Sequence, residues 1–142
     1  SAFVRHLRQF WNANLELPKK AEVPLSKKDQ ALVTRVQSLT RSLECVSDRR
    51  TARALIAALL AALYQVPLKD VLALSAGDVT EEDGTFVLWP NTRDVDGRLA
   101  ELFRCWLPLP QAGGLLFVGR NGLQPLSDHA VRYQLQVSGV SV

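Results

Sequence analysis

Basic side chains are concentrated in the first third of the chain, and phosphate binding is the chemistry that they offer. Residues 1–53 carry eleven Lys/Arg against five Asp/Glu, whereas residues 54–142 carry six against nine. A surplus of guanidinium and ammonium groups on part of a near-neutral chain attracts a polyanion and displaces its counterions. Because no basic run exceeds two residues, a solvated polar surface without a partner stays open as the alternative.

Other kinds of reactive site lack the residues that they need. The sequence has no glycine-rich phosphate loop, and Cys45, Cys105, His6 and His129 do not have the spacing of a metal site. No Ser-His-Asp candidate is present either, so we predict no metal and no cofactor. We expect both thiols to be buried or half-buried and both histidines to lie on surface-like helices.

Apolar periodicity predicts two helices in the basic third, separated by a linker. In the first helix, four residues share one face: Phe3, Leu7, Phe10 and Trp11. The polar segment 14–24 contains prolines, which predict a linker rather than a helix. Ser26 and Asp29 then have the S-x-x-D form of a helix start, and an apolar stripe continues to about Leu43.

The run 54–64 is apolar on all sides, which is typical of a helix at the centre of a core. Ser47 or Asp48 can cap this helix, and Pro67 ends it or opens the next turn. The run is far shorter than the roughly 20 residues that span a bilayer, and the chain does not begin like a signal peptide. We therefore expect an intracellular protein, in the cytoplasm or nucleoid, or in a nucleus, with no membrane partner.

The second half combines one strand with short helices. Residues 69–74 form a short helix, 81–83 an acidic solvated turn and 86–89 a strand. Residues 91–98 read as a polar loop, followed by a helix from Leu99 and a final helix capped by Ser127 or Asp128. The fold class that we predict is mainly α with a small antiparallel β-sheet (α+β).

Several of these segments, in order, resemble the catalytic domain of tyrosine recombinases (phage integrases). Residues 24–33, PLSKKDQALV, resemble the P-L-T-x-E-E-x-x-x-L that opens that domain. Leu74 with Asp78 and Val79 matches its L-x-x-x-D-V/I signature, and Asp70 stands where the family usually has Glu. Residues 116–127 resemble its L-F…G-x-P-L-S segment, with one extra residue between the Gly and the Pro.

The same resemblance implies that the catalytic groups are missing. The family needs an arginine pair to neutralise the scissile phosphate, a lysine on a β-hairpin as general acid and a tyrosine nucleophile. Pro67 occupies the place of the first arginine, and Lys69 is a poor replacement for a planar guanidinium. The hairpin that carries the lysine is predicted to be collapsed, with Arg93 as its nearest cation, a poor proton donor.

Neither tyrosine stands where the family has its nucleophile. Tyr64 ends the apolar helix and is expected to pack in the core. The segment 129–133, HAVRY, imitates the family's H-x-L-R-H box by its letters but falls one element too early, and a capped surface helix is the better interpretation. The chain ends where that box would be due, so no catalytic residue is predicted.

Two domains and a DNA contact follow from the resemblance. Residues 1–24 resemble the end of the family's N-terminal DNA-clamping domain with its linker, and residues 25–142 resemble an incomplete catalytic-type domain. The function implied is a catalytically inactive module that binds duplex DNA or scaffolds a DNA-associated complex. The candidate phosphate contacts are Lys19, Lys20, Lys27, Lys28, Arg49, Arg50 and Arg93.

Two other functions stay open. The chain is alternatively a protein-interaction or homo-oligomerisation domain that has lost DNA binding, in which case the aromatic face of the first helix, Trp89 or Trp106 would meet a partner. It is otherwise a fragment of an active site-specific recombinase whose second arginine and tyrosine lie beyond Val142. Additional sequence would not restore the arginine that is absent at Pro67.

Overall fold

The fold is taken from a computed structural model, which describes residues 2–12, 26–75, 78–82, 85–88, 93–95, 97–106, 117 and 127–137. These residues form helices around a central helix, with one small sheet, so the mainly α prediction is confirmed. The helices are α1 (Ala2–Asn12), α2 (Lys27–Cys45), α3 (Arg49–Tyr64), α4 (Leu68–Leu72), α5 (Gly97–Trp106) and α6 (Asp128–Val137). The strands are β1 (Thr80–Glu82), β2 (Thr85–Leu88) and β3 (Arg93–Val95).

Side-chain caps fix the starts of three helices. Ser26 Oγ accepts a hydrogen bond from the backbone N–H of Asp29 at 3.1 Å, which confirms the predicted start of α2. Asp48 Oδ2 accepts from the N–H of Thr51 at 2.9 Å, and Ser127 Oγ accepts from the N–H of Ala130 at 3.0 Å. These oxygens satisfy N–H groups that have no partner within the helix, so each start is set by local sequence.

Helix α3 is the centre of the core, as the apolar run predicts. Every residue from Ala54 to Leu60 is buried, and so are Ala62, Leu63 and Tyr64. The surrounding helices α1, α2, α4, α5 and α6 all pack against it. The small alanines allow neighbouring helices to approach closely, while the leucines fill the spaces between them.

Helix α1 packs directly on this core. Leu7 and Trp11 are fully buried, and Trp11 Nε1 donates to Thr40 Oγ1 of α2 at 2.8 Å. The guanidinium of Arg98 lies 4.8 Å from the centre of the Trp11 ring and is held by Glu44 at 3.3 Å, which is a cation–π geometry. The boundary predicted at residue 24 lies outside the described residues.

The sheet contains more strands than the one that the sequence predicted. Strands β1, β2 and β3 form a three-stranded antiparallel sheet in that order, so part of the predicted acidic turn 81–83 lies in β1, and the predicted loop 91–98 contains β3 and the start of α5. The buried Phe86 pairs with Val95 across β2 and β3. These short polar segments become strands because pairing satisfies their backbone groups, and charged residues are tolerated at sheet edges.

Both cysteines lie at the surface. Cys45 and Cys105 are exposed free thiols, so the prediction that they are buried or half-buried was wrong. Each lies two residues after a buried apolar residue, Leu43 and Phe103 respectively, and a step of two residues turns a side chain to the far side of a helix.

No helix in the described part of the chain has the length and apolarity that crossing a membrane requires.

Candidate nucleic-acid interface

Three arginines stand at the start of the central helix and are called here the arginine cluster: Arg49, Arg50 and Arg53. The side chains of Arg49 and Arg50 are exposed, whereas Arg53 is half-buried. Arg49 and Arg53 are four residues apart and therefore lie on one face of α3. The buried body of α3 anchors the backbone just after this turn, so the three cations are grouped at one end of the helix.

Arg53 connects the cluster to α5. Its Nε donates to the carbonyl oxygen of Trp106, the last residue of α5, at 3.3 Å. That carbonyl belongs to the negative end of a helix and favours a cation. Burial, and secondly the nearby charge of Arg49, lower the pKa of Arg53 from its ordinary value. The guanidinium groups thus repel one another at a position where the fold keeps them together.

Asp48 is the acidic residue beside the cluster, and its carboxylate is engaged as the cap of α3. Oδ2 accepts from the N–H of Thr51 at 2.9 Å and from its hydroxyl at 2.8 Å. The backbone bond, then the hydroxyl bond, and to a smaller degree the charge of Arg50 lower the pKa of Asp48. The carboxylate is therefore ionised at neutral pH, and it offsets only part of the positive charge.

A hydrogen-bond chain joins this cap to α6. Thr51 Oγ1 lies 3.1 Å from Gln134 Oε1 as well as 2.8 Å from Asp48 Oδ2. A hydroxyl carries one proton, which the ionised carboxylate attracts more strongly than an amide oxygen does. Both bonds form together when the amide of Gln134 is turned so that its NH₂ group donates to Thr51. The chain then runs from amide to hydroxyl to carboxylate.

The charge at the start of α3 opposes the helix dipole. The positive end of a helix favours acidic residues, and the first turn of α3 contains none. Each cation there destabilises the helix by about 0.3–1 kcal/mol at low ionic strength. Positions that break such a local rule within a well-packed protein are candidates for function.

The other predicted phosphate contacts are not part of this cluster. Lys27 and Lys28 are exposed at the start of α2, whose 19 residues extend about 28 Å before the link to α3. Lys19 and Lys20 lie outside the described residues. Arg93 lies in β3 by its backbone, and its side chain is likewise outside the described part.

Three residues that were weighed against the recombinase pattern lie at the junction of α3 and α4: Tyr64, Pro67 and Lys69. Pro67 is the exposed residue that precedes α4, and Lys69 is exposed within that helix. Tyr64 is 5% exposed, and the guanidinium carbon of Arg8 lies 4.6 Å from the centre of its ring. Arg8 also donates to the carbonyl oxygen of Leu63 at 3.3 Å. The ring of Tyr64 is therefore covered, as expected for a core residue.

Helix α6 carries the segment that imitates the H-x-L-R-H box. His129 and Tyr133 are exposed, whereas Arg132 Nε donates to Asp128 Oδ2 at 2.7 Å. This geometry is that of an i,i+4 ion pair on a surface helix, in agreement with our interpretation of the segment.

Sequence reasoning missed Arg53, Gln134 and Arg35. The spacing of Arg49 and Arg53 was a signal for the first, since residues four apart share a helix face. Gln134 has no local signal, because its partner lies 83 residues away. Arg35 of α2 is half-buried; burial, and then the nearby charge of Arg132, lower its pKa. That proximity also depends on tertiary packing.

Comparison with known proteins gives no family for this chain: no protein-family model, no curated protein and no solved structure matches it. Within the described residues, no group of three or more His, Cys, Asp or Glu side chains is arranged to hold a metal ion.

Proposed function

We propose that this chain is a catalytically inactive, recombinase-like module that binds the phosphates of duplex DNA. The arginine cluster carries the proposal. Exposed guanidinium groups bind phosphate oxygens well, and the neighbouring carboxylate of Asp48 is already occupied as a cap. Contacts of this kind position DNA but do not read its sequence.

The turn after α3 supports the recombinase-like part of the proposal. In the family this turn begins with glycine, the residue that most easily adopts the left-handed conformation at a helix end. Gln65 adopts that conformation here, with φ of 54°, and its Nε2 donates back to the carbonyl oxygen of Ala62 at 2.7 Å. A short helix and a strand entered by Asp78 and Val79 follow, in the order that the resemblance predicts.

Catalytic inactivity is supported at two positions. Pro67 offers no cation where the family has its first arginine, and Lys69 provides a point charge rather than a planar fork. Tyr64 is buried beneath Arg8, so it would have to leave the core before it reached a phosphorus atom.

The test measures retention of a labelled mixed-sequence duplex between about 50 and 200 mM salt. We expect log affinity to fall linearly with log salt, with a slope of about 0.9 per phosphate contact, and to be similar for unrelated sequences. In the double variant R49Q/R50Q, the slope should be smaller by the contribution of about two phosphate contacts. The control R5Q/R132Q removes the same charge from exposed positions on α1 and α6 and should keep the slope.

Failure to retain duplex at low salt, or an affinity that ignores salt, would reject DNA binding. Catalytic inactivity is tested separately with a suicide duplex that traps a covalent 3′-phosphotyrosine adduct. We expect no adduct, and its appearance would contradict the inactive assignment.

A protein-interaction function has its own supporting observation. Tyr133 and Val137 are 57% and 65% exposed and lie four residues apart on α6, so they form a small apolar stripe. Trp11 of α1 is not free for this role, because it is buried within its own chain. A stable oligomer in sedimentation, without duplex retention, would favour this alternative.

A further inference from the structure

Gln134 has the only buried side-chain amide among the residues that the structure describes, with 8% of its surface exposed. A buried side-chain amide is unfavourable unless it is hydrogen-bonded. Its partner is the hydroxyl of Thr51, at 3.1 Å, in the first turn of α3. The one such amide in the described core is therefore directed to the helix start that carries the arginine cluster.

We infer that Gln134 is a positioning residue for the contact that Arg49 and Arg50 make with phosphate. The inference rests on the proposed function and adds a residue of α6 to it. Gln134 touches no ligand and acts through Thr51 and Asp48, which fix the first turn of α3. Arg49 and Arg50 occupy that turn, so their direction depends on whether it is ordered.

The first turn of α3 needs this support because its positive charges are unfavourable where they stand. The first turn of α3 contains cations at the positive end of a helix dipole, and Arg49 and Arg53 repel each other, so this turn tends to fray. The Asp48 cap counteracts fraying from within the helix, and Gln134 adds a bond from a neighbouring helix. A bond network in which each member has its partner also restricts the geometries that its residues adopt.

A double-mutant cycle on the full chain tests this inference. Q134M replaces the amide with an apolar side chain of similar length and should weaken duplex retention by about 3- to 10-fold, the effect of one hydrogen bond. In the R49Q/R50Q background, the same substitution should cause no further loss. A residue that only maintains overall stability would weaken retention by the same factor in both backgrounds.

Two variants of Thr51 and a matched control complete the experiment. T51V removes the hydroxyl with little change of shape and should weaken retention at least as much as Q134M, whereas T51S keeps the hydroxyl and should retain DNA normally. Q136M changes an exposed glutamine of the same helix and should have no effect.

The outcomes separate this inference from the proposed function. Equal losses for Q134M in both backgrounds, or no loss at all, would overturn the positioning role while R49Q/R50Q still showed that the arginines bind DNA. If the unmodified chain failed to bind, or if R49Q/R50Q bound normally, the proposed function and the role of Gln134 would both be rejected.

Discussion

Helices α3 and α6 pack against each other and begin with the same capping geometry, but their first turns have opposite charge. Asp48 caps α3 and Ser127 caps α6, each by accepting the N–H of the residue three positions on. Helix α6 then places Asp128 at its positive end and pairs it with Arg132 at 2.7 Å. Helix α3 places Arg49 and Arg50 there instead.

The charge at the start of α6 stabilises its helix, whereas the charge at the start of α3 is unfavourable for the helix but available to an anionic partner. In α6 both the dipole and the i,i+4 pair are satisfied within the helix. In α3 the two arginines oppose the dipole, and this cost is offset by the carboxylate cap of Asp48, the bond from Gln134 and the burial of most of the helix body. The start of α3 is therefore the place where removal of charge should change binding and stability in opposite directions.

The largest expected effect is on binding. Because two of the proposed phosphate contacts are removed, R49Q/R50Q should lower duplex affinity by about 10- to 100-fold near 0.1 M salt, measured by fluorescence anisotropy. R132Q removes a cation that is already paired on α6 and should change affinity by less than about twofold. A comparable loss in R132Q would mean that binding follows total charge rather than the start of α3.

The caps provide the next comparison. D48A should lower the free energy of unfolding by about 1–2 kcal/mol, since it removes an ionised cap with two bonds to Thr51. S127A should cost about 0.5–1 kcal/mol, because a neutral hydroxyl with one bond is lost. Urea denaturation followed by circular dichroism measures both. A larger effect of S127A would contradict the view that the start of α3 depends more on its cap.

Charge removal should act in opposite directions on stability at the two helix starts. R49Q/R50Q should raise the free energy of unfolding by about 0.3–1 kcal/mol, because it relieves repulsion from the helix dipole, partly offset by the lost attraction to Asp48. D128N should lower it by a similar amount, because it removes the favourable charge of α6. The midpoints of urea unfolding at low ionic strength check both signs. Destabilisation by R49Q/R50Q would indicate that the arginines serve the fold.

The smallest effect is on the pH dependence of stability. The pKa of Asp48 is lowered in the folded chain, chiefly by the backbone N–H of Thr51. Its contribution to stability is therefore present above the unfolded pKa of about 3.9 and is lost as pH falls through the lower folded pKa. D48N keeps a capping oxygen without the titration. The stability difference between the two proteins should shrink in that acidic range, and a constant difference would contradict the assignment.

Local features of the fold were predictable from particular residues. Ser26 with Asp29 predicted the start of α2, and the uninterrupted apolar run 54–64 predicted the central helix, because caps and apolar periodicity depend on neighbours in sequence. Strands β1 and β3 were not predicted, since each has three residues and becomes a strand only by pairing with β2.

The candidate site likewise has features that were predictable from the sequence and contacts that were not. The order of residues along the chain was enough to predict that Arg49 and Arg50 begin a buried helix and that Pro67 follows its end. Only the tertiary structure decided that Arg53 meets the end of α5 and that Gln134 supports Thr51. Those partners lie 53 and 83 residues apart, and such contacts form only when the packing of the helices brings distant segments together.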